Sequence, residues 1–124
     1  MAPRIDHLAL PARDAEAAAR FLGQILGVDA IVPDGPDGDM FNLSLGETDL
    51  LFVEADPVPS QHLAFRVVEP EFRAVVERLS RAGVAFGNDP EDPTNGQTSD
   101  PLGSPGRIYF ASPDGHFLEV TVGS

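Results

Sequence analysis

Apolar positions along the chain follow two rhythms in turn. Residues 69–83 place Phe72, Val75, Val76 and Leu79 at i, i+3, i+4 and i+7, which predicts a helix burying one stripe. Glu69 can cap that helix, Pro70 suits its first position and Gly83 its left-handed end. Residues 14–27 repeat the arrangement, with Asp14 as cap, Ala18, Phe21, Leu22 and Ile25 as stripe, and Gly27 as terminator. Elsewhere the rhythm is that of strands. Apolar runs at 5–10, 28–32, 39–45 and 49–53 are answered by runs at 60–65, 84–86, 107–111 and 117–122. Turns rich in Gly, Pro and Asp separate them.

The two sets of elements are copies. I-D-H-L-A-L (5–10) and S-Q-H-L-A-F (60–65) carry His-Leu-Ala 55 residues apart, and the Gly-Val pairs closing the helices lie 56 apart. A repeat that keeps register through a helix predicts one structural unit used twice. The expectation is therefore an α+β fold of two tandem βαβββ modules, 1–56 and 57–124, in a single domain. A proline-bearing connector at 55–60 joins them. Residues 88–106 break the symmetry. They have no periodicity and much Pro and Gly, which suits a functional rim or lid or a surface excursion.

Strand alternation then sorts side chains by face. Leu118, Val120 and Val122 are expected on the helix side, with Phe117, Glu119 and Thr121 opposite. Leu8 and Leu10 likewise oppose His7, and Leu63, Phe65 and Val67 oppose His62. His7, His62 and Glu119 thus fall on the faces turned away from the helices, with small residues, Ala9 and Ala64, beside the histidines. A lone carboxylate in an apolar strand needs a partner. Two imidazoles and one carboxylate suit a single divalent ion of Fe, Mn, Zn, Ni or Co, with positions left open. On the same faces lie Asn42, Arg66 and Arg107 as polar candidates for substrate contact, with Met40, Ser44, Val53, Tyr109 and Phe117.

Composition narrows the partners. Twenty acidic residues face eight arginines and no lysine, a net charge of −12. That balance excludes nucleic acid and anionic membrane as partners and is compatible with a cationic ligand. No apolar run approaches the roughly 18 residues of a membrane span. There is no cysteine, hence no disulfide or thiolate site. With no export signal at the N-terminus, the cytoplasm is the expected compartment.

These residues resemble the vicinal oxygen chelate superfamily, which includes glyoxalase I, fosfomycin-resistance proteins, extradiol dioxygenases and bleomycin-resistance proteins. The resemblance is carried by D-H-L-A-L, Q-H-L-A-F and I-Y-F-A-S-P-D-G-H-F-L-E-V and covers nearly the whole chain. It implies paired modules forming an incomplete barrel around a central cavity, with His7, His62 and Glu119 as metal ligands. It implies a substrate-contacting role for Tyr109, and a homodimer. It also places Leu51 where glyoxalase I has a fourth ligand, which argues against proton-transfer isomerisation of that type. His116 lies on the helix-side parity, unlike an extradiol acid-base histidine, and a chain without lysine poorly suits a phosphonate pocket.

The expected function is a metal-dependent enzyme of dioxygenase, lyase or transferase type acting on a small oxygen-bearing molecule. The alternative is a bleomycin-resistance-like protein that sequesters a cationic compound without catalysis.

Overall fold

The computed structural model describes residues 2–123. Two compact units emerge, one ending at Pro59 and the other beginning at Ser60. The first contains β1 (His7–Ala12), α1 (Ala15–Leu26), β2 (Ile31–Asp34), β3 (Met40–Ser44) and β4 (Asp49–Glu54). The second contains β5 (His62–Val67), α2 (Glu69–Arg81), β6 (Arg107–Ala111) and β7 (Phe117–Val122). The fold class is α+β, with one open sheet in each unit, ordered β1-β4-β3-β2 and β5-β7-β6. In both, the opening strand pairs in parallel with the closing strand, and the remaining neighbours are antiparallel.

Each sheet packs its helix-side face under an amphipathic helix. The side chain of Asp14 caps α1 by accepting from the Ala17 N–H at 3.0 Å, and Gly27 ends it at φ 75°. The stripe that α1 buries is Ala15, Ala19, Leu22 and Ile25, with Ala18 and Phe21 half-buried at its margin. It meets a sheet face carrying Leu10, Leu43, Leu50 and Phe52, all buried. In the second unit Phe72, Val75 and Leu79 cover Ile108, Phe110, Leu118 and Val120.

Several boundaries depart from expectation. The cap of α2 is Val68, which offers no side-chain acceptor. Glu69 lies inside the first turn, where its charge complements the helix dipole and pairs with Arg73 at 3.0 Å. β2 starts at Ile31 because Val28 still donates its N–H to the Gly23 carbonyl and Ile31 closes a turn onto Asp29. Residues 84–86 form no strand, so the second sheet has three strands, and only Gly87 bridges to Tyr109. The next residue, Asn88, spends its side chain on the Ser99 carbonyl (2.8 Å) and hydroxyl (3.1 Å) and accepts from Asn95 (2.9 Å). Local bonding of this kind competes with a sheet ladder and draws the chain into the 88–106 loop.

Candidate functional site

In the second unit, β7 is the central strand and Glu119 lies at its middle. Register sets Glu119 opposite Ala64 on β5 and opposite Tyr109 on β6. His62 stands one diagonal step away on β5, and Arg107 one diagonal step away on β6. Paired residues share a sheet face, so all five lie on the side opposite α2. The small Ala64 leaves space through which the His62 Nε2 reaches Glu119 Oε1 at 3.0 Å. The second oxygen of Glu119 pairs with the Arg107 guanidinium. Glu119 is buried, its side chain 10% exposed, whereas His62 is 54% exposed.

Aromatic rings flank this polar group. Phe117 meets His62 edge-on, with centroids 5.2 Å apart, and stacks on the buried Tyr109 at 5.4 Å with planes 16° apart. Arg66 lies on the same face, exposed, its stem running over Gly123.

Arg107 is held from its other side by Asp100, whose Oδ1 accepts from Nε at 3.0 Å. The Asp100 side chain is only 1% exposed. Burial opposes its ionisation, but hydrogen bonds from Ser104, Arg107 and the Leu102 N–H prevail and hold it far below the usual carboxylate range. Arg107 is correspondingly raised, by its bond to Asp100 foremost and by the nearby charges of Asp100 and Glu119.

The first unit places His7, Leu51 and Asn42 in the equivalent register. Ala9 pairs with Leu51 and Leu51 with Asn42, so Leu51 occupies the position of Glu119 and Asn42 that of Tyr109. His7 is 63% exposed and its Nδ1 lies 2.9 Å from Asp6 Oδ2. A carboxylate on one ring nitrogen leaves the other available as a ligand, a common pattern behind metal-bound histidines. Asn42 donates to Asp49 at 3.2 Å, while its Oδ1 is buried with no hydrogen-bond partner among the described residues. A cavity of about 200 Å³ is lined by Asp6, His7, Asp34, Asn42, Asp49 and Leu51.

The donor chemistry of His62 and Glu119 fits a divalent ion. Ligand bonds of about 2.0–2.2 Å at a right angle put two donor atoms about 3 Å apart, and their separation is 3.0 Å. No cluster of three such donors occurs among the described residues; His7 belongs to the other unit.

Sequence reasoning missed Asp100. Its signal was the run D-P-L-G-S, in which an aspartate ahead of Pro-x-Gly bonds its own backbone two residues on. It also missed that Arg107 spends its guanidinium on two carboxylates.

Residues 4–120 match the family model of the Glyoxalase/Bleomycin resistance protein/Dioxygenase superfamily, and the chain belongs to that superfamily. Within it, the chain is similar to the solved structure of oxidase ChaP-H1, with 32% identity over 99% of this chain and 98% of that one, at a TM-score of 0.88. Oxidase ChaP-H2 matches at 29% identity over 100% and 96%, also at 0.88. The glutathione transferase FosA of Serratia marcescens is 26% identical over 100% of this chain and 84% of its own length.

Proposed function

We propose that this protein is a metal-dependent enzyme that oxidises a small organic molecule bearing adjacent oxygens, with dioxygen as the electron acceptor. The observation that carries the reading is the His62–Glu119 pair, set at ligand spacing beside the stacked Tyr109 and Phe117. His62 and Glu119 would supply two ligands, and His7, in the other unit, is the third residue proposed. A divalent ion held there would supply Lewis-acid chemistry toward substrate oxygens. The Phe117–Tyr109 surface offers a flat apolar wall for an aromatic or enolic ring. Tyr109 contacts the substrate, Arg66 borders the same face, and the free Asn42 Oδ1 accepts a hydrogen bond from a substrate hydroxyl or amine. Similarity over the full chain to two oxidases supports oxidation over transfer. The engagement of Arg107 by two carboxylates leaves little basic surface for a phosphonate. The charge of −12 disfavours nucleic acid and anionic membrane, and the proposed partner is a small molecule. A homodimer and a cytoplasmic setting belong to the same proposal.

Protein purified without chelator is expected to carry about one divalent ion per chain. His62→Ala and Glu119→Gln should each lose most of it while keeping the fold, since Leu118 and Val120 still pack under α2. Elemental analysis that finds no transition metal, even after reconstitution, would overturn the enzyme.

A second reading, sequestration of a cationic compound, is favoured by one feature: the small cavity lined by Asp6, Asp34 and Asp49. Calorimetry separates the two with catechol as chelating probe and spermidine as cationic probe. Catechol binding should vanish on stripping the metal and persist in salt. Spermidine binding that ignores the metal and collapses in salt, with no catechol binding, would replace catalysis by sequestration.

A further inference from the structure

We propose that Arg107 is a positioning residue for Glu119, braced by Asp100, so that the carboxylate offers one chosen oxygen beside His62. This rests on the metal reading above and extends it to two residues that touch no metal. The two oxygens of Glu119 are divided between partners, Oε1 toward His62 Nε2 and Oε2 toward Arg107. A carboxylate in a sheet can rotate about its last torsion and exchange its oxygens. Arg107 removes that freedom, because a guanidinium is a planar fork that serves two acceptors at fixed angles.

The brace is built from the 88–106 loop. Asp100 Oδ1 takes the Arg107 Nε at 3.0 Å and the Leu102 N–H at 2.8 Å, and Oδ2 takes the Ser104 N–H at 3.3 Å. The backbone N–H of Arg107 bonds the Thr98 carbonyl at 3.0 Å, so the loop holds both ends of the residue. Asn88 and Asn95 tie the base of the same loop by a reciprocal pair of bonds at 2.9 and 3.2 Å.

Charge explains why the brace needs an acid. Asp100 cancels Arg107, so the trio with Glu119 keeps one net negative charge. Without Asp100 an uncancelled guanidinium would lie against the ligand carboxylate and repel a cation. Without the fork, Glu119 is free to turn both oxygens to one ion. An ordinary ion pair joining a loop to a sheet would add stability alone. A brace sets ligand geometry and affinity.

The test is chelator competition with Co(II), read together with the visible spectrum of the bound ion and the unfolding temperature of the metal-free protein. Arg107→Lys keeps the charge and loses the fork, and Asp100→Asn keeps the shape and loses the counter-charge. Each is expected to weaken Co(II) binding at least tenfold, and Arg107→Lys to alter the cobalt bands. Asn95→Ala, which loosens the loop base without touching Arg107, should lower the unfolding temperature and leave affinity within twofold. If Asp100→Asn does not fold, Arg107→Lys decides alone. Binding within twofold of wild type and an unchanged spectrum in Arg107→Lys would overturn the brace. Failure of the wild-type protein itself to bind Co(II) would instead overturn the metal reading beneath it.

Discussion

Gly106 stands where any side chain would strike a buried ring. A Cβ there would lie 2.5 Å from Phe72 Cε2 and 2.7 Å from Cζ. Phe72 is itself 5% exposed, its ring packed between α2 and the sheet, so it has nowhere to retreat. Gly106→Ala is therefore expected to destabilise the protein by about 1–3 kcal/mol, the usual cost of overpacking a filled core. Chemical denaturation would show it as a lowered midpoint at unchanged slope. The neighbouring residue is Arg107, so the same substitution should also disturb the contacts of its guanidinium. In the sequence Gly106 is one of several glycines in a Pro- and Gly-rich stretch, and nothing local marks it as different. Its constraint comes from a ring 34 positions earlier, and only the folded chain brings the two together.

Elements were more legible than their connections. The runs 107–111 and 117–122 coincide with β6 and β7 because strict alternation between a helix-packed face and its opposite leaves few other registers. Both helices follow from their stripes, and the Asp14 cap from its chemistry. Asp14→Ala removes the acceptor for the Ala17 N–H. It should cost about 1 kcal/mol, visible as a few degrees in thermal unfolding. Loss at α2 of Val68, which caps nothing with its side chain, has no counterpart. The same alternation placed Glu119 and Arg107 on one face, and the repeat placed Leu51 in the register of Glu119. It could not show that Arg107 answers to Asp100. That pairing depends on how Asn88, Asn95 and Ser99 fold the intervening loop, through side-chain bonds that leave no periodic trace.

At the scale of the whole molecule, the residues proposed as ligands fall in both units, His7 in the first and His62 and Glu119 in the second. The proposed two-fold homodimer should appear in light scattering at micromolar concentration as twice the 13.2 kDa chain mass. A single species of chain mass would contradict it. The topology of the second sheet carries one more consequence. β7 is its central strand, yet it follows both of its neighbours in the chain. Until residues 117–122 have been synthesised, β5 and β6 have no strand to pair with and α2 has only part of its apolar bed. The pairing of His62 with Phe117 then closes a loop of more than 50 residues in one step. The sheet of this half is therefore expected to form only once the last strand is available. The strand that completes the hydrophobic layer is the same one that delivers Glu119, so a chain stalled before that point exposes aggregation-prone edges and has no half-site to show for it.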